Sequence, residues 1–281
     1  MTTRREFTQA LAALAVTAPA WRDVLAFAAK PTHLGPLGVQ LYTVRDAMAR
    51  DLPGTLARVR GIGYREVEFA GYFGTRPAAI RRALADAGLV APSCHLQPAD
   101  FTTGRAAAIE AAATVGHKWM ILAWIDDADR TPDGYDRLAD ALNATGHEAK
   151  RHGIRVGYHN HDFEFTPWAS GEIPMARFAR RLDPAVADLE TDLYWVTKAG
   201  GNAKQWLHDH PGRVPLVHVK DAGPAPDFRM ADVGAGAMDW KAIFAERRRA
   251  GIKHYFVEHD EPADPWASIT NSYRYLSTLS V

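Results

Sequence analysis

From residue 37 onward, short apolar runs alternate with longer runs whose apolar residues recur every three to four positions. The short runs fall at 37–42, 64–69, 89–95, 118–124, 154–159, 186–191, 214–219 and 253–258. Their length and β-branched, aromatic content predict strands. Helical runs follow them at 52–61, 77–88, 104–116, 132–153, 173–182, 203–210, 239–251 and 265–279. Pro53 sits near a first helical turn, and Gly61 and Gly63 mark the end of that helix. Strict alternation of strand and helix implies a parallel sheet with right-handed crossovers. Eight such units predict an α/β fold, a single parallel (β/α)8 barrel over residues 31–281, with its site at the C-terminal strand ends. No GxGxxG follows the first strand, and no GxxxxGK[ST] occurs, so the common phosphate-cradling loops are excluded.

The start of the chain reads differently. Thr3-Arg4-Arg5-Glu6-Phe7 precedes an alanine-rich apolar stretch at 11–21, and small residues follow at Ala26, Ala28 and Ala29. This is the layout of a twin-arginine-like export signal over residues 1–30, predicting a periplasmic or exported protein. An amphipathic first helix is the alternative. Arg22 and Asp23 leave the run too short for a stable membrane anchor.

Composition narrows the partners. The 281 residues carry 33 Lys+Arg and 33 Asp+Glu, so no global basic field exists to hold nucleic acid. The one cysteine, Cys94, excludes an intramolecular disulfide and a Cys-rich zinc site, and reads as a small buried strand residue. His117, His147, His152, His208 and His210 fall on or beside helices and read as surface residues.

The strand ends are the informative positions. Strands five to eight end in His159, in Glu190 and Asp192, in His218, and in Glu258. In a barrel these side chains converge on one pocket. Crowded carboxylates repel unless a cation sits among them. Mixed imidazole and carboxylate donors suit one divalent Mn, Co, Zn or similar metal ion. A network of structural ion pairs is the competing explanation.

Gly38-Val39-Gln40-Leu41-Tyr42, Val67-Glu68, the segment from Tyr158-His159-Asn160-His161 to Glu164-Phe165, Asp192-Leu193-Tyr194-Trp195, His218-Val219-Lys220-Asp221 and Val257-Glu258 occur in order along the chain. In these the sequence resembles the sugar phosphate isomerase/epimerase superfamily, the xylose-isomerase-like TIM barrels that also include endonuclease IV. The resemblance implies a small-molecule carbohydrate substrate and one divalent metal held by Glu, Asp, His and Glu from strands five to eight. Asp192, His218 and Glu258 match that set. The strand-five position reads His159, with Glu164 further along as the other candidate. The paired glutamates of ketose 3-epimerases are therefore not matched, and an opposite-face base falls to His161 or Glu164. Relatives often dimerise, so a homodimer is compatible.

The chemistry implied is proton removal beside a sugar carbonyl, through an enediolate. Glu258, His161 and Lys220 are the expected catalytic groups, with Lys220 helping to stabilise the enediolate. Gln40, Glu68, His95, Trp124, Glu164 and Trp195 are the expected substrate contacts. Reprotonation gives an isomerase or epimerase, the leading expectation. Loss of a β-substituent gives a lyase on a 3-keto glycoside or keto sugar, the alternative. An exported sugar-binding protein without turnover is the non-enzyme reading. A phosphodiester enzyme like endonuclease IV fits poorly with the neutral charge.

Overall fold

Residues 33–281 are described by a computed structural model, and the expected export signal at 1–30 lies outside them. The strands are β1 (Leu37–Gln40), β2 (Glu66–Ala70), β3 (Val90–Leu96), β4 (Trp119–Leu122), β5 (Arg155–His159), β6 (Ala187–Asp192), β7 (Leu216–Val219), β8 (Asp221–Ala222), β9 (Met230–Ala231) and β10 (His254–Val257). All but β8 and β9 close into a parallel barrel in the ring order β1-β10-β7-β6-β5-β4-β3-β2. The expected (β/α)8 barrel is therefore the observed fold. Every expected barrel strand is present, with no bound displaced by more than two residues.

Two layers of apolar packing hold the barrel. Outward-facing strand residues such as Val39, Val67, Met120, Val156, Leu189 and Val217 are fully buried with helix residues such as Leu56, Ile80, Ile109 and Leu142. Inside the barrel a separate plug forms from Trp119, Ile121, Leu216 and Phe256. Gly38 makes room for it: a Cβ there would lie 2.5 Å from Phe256 Cδ1. Below the plug, Asp188 accepts from Trp119 Nε1 at 2.8 Å and from Arg155 Nη2 at 2.9 Å, tying β4, β5 and β6 together.

Several elements differ from the expected pattern. The first strand stops at Gln40 and turns into a 3-10 helix, Leu41–Val44, followed by a helix at Arg45–Arg50. The helix expected at 132–153 ends at Ala149 in a 3-10 turn, and that expected at 239–251 splits into Trp240–Phe244 and Arg247–Ala250. A further helix, Leu193–Lys198, follows β6 directly. Its aromatic, β-branched sequence hides it, and Asp192 starts it by accepting from the amides of Tyr194 and Trp195 at 2.9 and 3.1 Å. The β8–β9 ribbon is organised by Asp221, which accepts from Gly234 N, Met238 N and Trp240 Nε1. His117 is a correction: it is buried, not a surface residue. Its Nδ1 lies 2.7 Å from Ala91 O, its ring stacks on Tyr72, and burial pushes its pKa down to about 4. Among the described residues no helix is long and apolar enough to cross a membrane.

The ties at the barrel floor generate a stability prediction. Asp188→Ala removes the charge partner of the Arg155 guanidinium, which is about a third exposed and keeps the carbonyls of Pro184 and Ala185, and removes the partner of Trp119. We expect a loss of about 2 kcal/mol, below the full cost of breaking a buried pair because Arg155 keeps some water. Urea unfolding checks it, and an unchanged midpoint would show that these ties are dispensable.

Candidate active site

Side chains two residues apart on a strand point to the same face. The inward set above the plug is Gln40 on β1, Glu68 on β2, His95 on β3, His159 on β5, Glu190 and Asp192 on β6, and His218 on β7, with Glu258 just past β10. Each is buried except His95, which is partly open. Above them lies a cavity of about 570 Å³ whose lining includes His95, His159, His161, Lys220, Glu258 and Asp260, with Tyr42, Trp124, Phe163 and Trp195 toward its aromatic side.

The lower part is one connected network. His218 Nε2 lies 2.6 Å from Glu68 Oε2, and its Nδ1 lies 2.8 Å from Glu258 Oε2. His95 Nε2 lies 2.7 Å from Glu190 Oε2 and 3.1 Å from Glu68 Oε2. The rings of His95 and His218 stack, 5.1 Å apart and 3° from parallel. Burial alone would discharge these groups. For His95, Glu68 and Glu190 outweigh burial and lift its pKa to about 9. His218 is likewise held well above the ordinary histidine value, with Glu190, Glu258 and Glu68 overcoming burial. Glu68 stays well below the carboxylate range because His95 and His218 overcome its burial. Glu190 goes the other way: burial and then the charge of Glu68 raise it to about 7. His159 is held well below its ordinary value by burial and by the neighbouring His218 and His95.

Lys220 closes the network beneath the cavity. Its Nζ lies 3.0 Å from Asp192 Oδ2, 2.7 Å from Glu258 Oε2 and 2.8 Å from Asp260 Oδ1. Burial favours the neutral amine, but the three carboxylates win and hold it charged. Lys220 and His218 in turn outweigh burial at Glu258 and keep it ionised. His161 faces the same cavity as a neutral ring, its pKa lowered to about 3 by burial and then by Lys220. Its Nδ1 has no partner.

Three expected substrate contacts lie outside the cavity lining. Gln40 does not line the cavity. Its Oε1 accepts from Tyr42 N at 3.1 Å and its Nε2 donates to Glu68 Oε2 at 2.8 Å, so it positions Glu68. Glu164 is turned away from the network: it accepts from Tyr158 Oη and, at 2.7 Å, from His161 N. This removes it as a candidate metal ligand or base, since both oxygens brace the loop that carries His161. Glu68 lies under the cavity, against His95 and His218, and does not line it. His95, Trp124 and Trp195 line the cavity as expected. Two site residues were given no role from the sequence: Glu190, named only as a strand end, and Asp260. Glu190 sits two residues before Asp192 on β6, where the strand period finds it, whereas Asp260 lies past the end of β10, where no strand period applies.

The model of the xylose isomerase-like TIM barrel family matches residues 56–274. The chain belongs to that family. An inosose dehydratase from Geobacillus thermodenitrificans is 26% identical over 161 residues, 52% of each chain. The chain spans at most about half the length of the curated relatives it matches. A sugar phosphate isomerase/epimerase structure from Parabacteroides distasonis is 24% identical with a TM-score of 0.75, covering 88% of this chain and 95% of its own. An IolI protein structure with a bound zinc atom is 13% identical with a TM-score of 0.67, covering 85% of this chain and 96% of its own. At these identities the two structures are likenesses of fold.

The xylose isomerase-like barrel described here has donors that fit a divalent ion. His95, His159, Glu190 and His218 form one group and Asp192, His218 and Glu258 another, with ligand atoms inside each within 4.8 Å of one another. Glu68 Oε1 and Glu190 Oε1 are buried without a hydrogen-bond partner, and Asp192 Oδ2 is met only by the Lys220 ammonium at 3.0 Å and by His159 Nε2 at 3.8 Å. Orphaned anionic oxygens beside imidazole nitrogen are what such an ion satisfies. His218 is common to both groups, so it would hold an ion in either arrangement.

Two predictions follow from this geometry. Wild-type protein should bind one equivalent of Mn, Co or Zn, and His218→Ala should weaken binding by at least about 100-fold, since even supporting residues cost 10–100-fold. Equilibrium dialysis measures it, and tight binding retained by the variant would remove His218 as a ligand. The second concerns Glu164, whose pKa burial raises to about 7 against an ordinary 4.5 despite its hydrogen bonds to Tyr158 and His161. A raised folded pKa favours the protonated form. Its stabilisation is complete below pH 4.5 and is lost as pH rises through 7. Glu164→Gln should gain on wild type by up to about 3 kcal/mol over that window. Urea midpoints at the two ends test it, and a constant difference would show that Glu164 is ionised throughout.

Proposed function

We propose that this protein is a divalent-metal-dependent lyase. It removes a proton from the carbon beside the carbonyl of a polyhydroxylated ketone, a keto sugar or keto cyclitol, and expels the oxygen substituent one carbon further on. The observation that carries the reading is the meeting of three unlike groups beneath one cavity: charged Lys220, ionised Glu258 and neutral His161. When bound, the ion supplies Lewis-acid polarisation of the carbonyl and a neighbouring hydroxyl.

The residues divide the remaining work. Glu258 accepts the proton, and the C–H electron pair moves toward the carbonyl oxygen. Its return forms the C=C bond as the β C–O bond breaks. The departing oxygen leaves as water or an alcohol, with the proton Glu258 took. Lys220 is fixed by three carboxylates and lies where its charge stabilises the oxygen on which negative charge grows. His161 offers one donor and one acceptor to a substrate hydroxyl. Glu68 and Gln40 act one layer down, keeping His218 and His95 oriented.

Two points favour elimination over the epimerisation that the resemblance first suggests. The strand-five position that would complete a glutamate pair is His159, a neutral ring packed 4.3 Å from His218. The curated relatives, 26% and 32% identical over their matched parts, are inosose dehydratases. The zinc of the IolI protein supports a metal on this barrel.

The test uses metal-loaded protein with inososes and 3-keto glycosides in heavy water, followed by NMR. Elimination yields an unsaturated ketone and free water or alcohol. An intact substrate with deuterium at an inverted carbon would instead establish epimerisation. Saturable binding without exchange would establish a binding protein. Lys220→Met should lower kcat by about 10²–10³-fold with a much smaller change in KM; a change in KM alone would reduce Lys220 to a binding group.

A further inference from the structure

Among the described residues, three large hydrophobic side chains are exposed: Tyr42 (43%), Trp124 (41%) and Val90. The two aromatic ones both line the cavity above the network. Tyr42 follows β1 and Trp124 follows β4, so they stand three strands apart round the ring one way and five the other. Such rings left open to water cost hydrophobic stabilisation.

Neither ring is loose. The Arg45 guanidinium lies 4.2 Å from the Tyr42 ring centre, and Arg45 Nη1 donates to the carbonyls of Tyr42 and Asp260, each at 2.9 Å. The Arg130 guanidinium lies 4.8 Å from the Trp124 ring centre and is itself fixed by Asp127 at 2.7 Å and the Ile125 carbonyl at 3.1 Å. His161 and Phe163 stand edge-on to Trp124 at 4.9 and 5.4 Å. Each aromatic is thus held by a cation and remains open to the cavity. A ring held open in advance loses little entropy when a flat ligand stacks on it.

The cavity is also larger than its polar end requires. The ionised groups gather at the floor, whereas the volume of about 570 Å³ lies in the range that accepts drug-sized ligands. We propose that the ligand is a two-ring carbohydrate: a glycoside whose sugar ring occupies the floor while its second ring or aromatic aglycone stacks at the Tyr42–Trp124 rim. This deepens the lyase reading and rests on it only for the carbohydrate nature of the ligand.

Equilibrium binding to the metal-loaded full chain tests it, with methyl β-glucoside and phenyl β-glucoside as probes, read by calorimetry. Wild type should bind the phenyl glycoside about tenfold more tightly, the size of one good aromatic contact. Trp124→Ala and Tyr42→Ala should each bring that ratio close to one. Thermal unfolding checks that both variants fold, and having two separate positions guards against one failing. Equal binding of the two probes by wild type, no saturable binding of the phenyl glycoside, or a preference that survives both substitutions would overturn the proposal. Because no turnover is read, a phenyl preference without any deuterium exchange into keto sugars would sink the lyase reading alone. Active elimination with equal binding would sink only the two-ring ligand.

Discussion

Five carboxylates, those of Glu68, Glu190, Asp192, Glu258 and Asp260, share the upper part of the barrel with one ammonium group and three inward imidazoles. Removing a carboxylate from water costs several kcal/mol unless something compensates it. That constraint organises the site. It keeps Lys220 charged at the bottom of the cavity and pulls His95 and His218 toward their protonated forms. Protons on those two rings and a divalent cation would be alternative ways to neutralise the same oxygens. The apolar plug of Trp119, Ile121, Leu216 and Phe256 lies next to this network inside the barrel, with Phe256 6.1 Å from the His218 ring.

Several side chains answer a local need and a site need at once. Asp192 spends one oxygen capping the helix Leu193–Lys198 and leaves the other facing Lys220. Gln40 caps the 3-10 turn after β1 with its oxygen and orients Glu68 with its nitrogen. Glu164 holds the amide of His161. Such double use limits the freedom of the site, because moving any of these three side chains also breaks a turn or a cap.

The barrel was legible in the sequence because its two periods are strong, and the strand-borne half of the site was legible for the same reason. Once β6 is a strand ending at Asp192, parity places Glu190 on the same face, although motif resemblance points only to Asp192. What the sequence did not carry was partnership. Gln40 and Glu164 have the chemistry of substrate contacts, yet other residues of the chain take up their polar atoms, and nothing in residue type or spacing reveals that. The short helices after β1 and β6 were equally hidden, since capping by Asp192 and turning at Gln40 outweigh local propensity over so few residues.

Floor and rim therefore answer to different parts of the chain. The floor is set by positions two apart on strands, whose register is locked by the barrel, so its donors cannot drift independently. The rim is built on connections: Tyr42 in a 3-10 turn, Trp124 and Arg130 in the segment after β4, Arg45 in a short helix. Loops tolerate change that strands do not. A barrel of this family can keep its proton-transfer chemistry while its rim changes the ligand it accepts. That separation lets the elimination proposed at the floor coexist with the second-ring contact proposed at the rim. Under that proposal the determinants of substrate choice are Tyr42, Arg45, Trp124 and Arg130 rather than the groups nearest the reacting carbon.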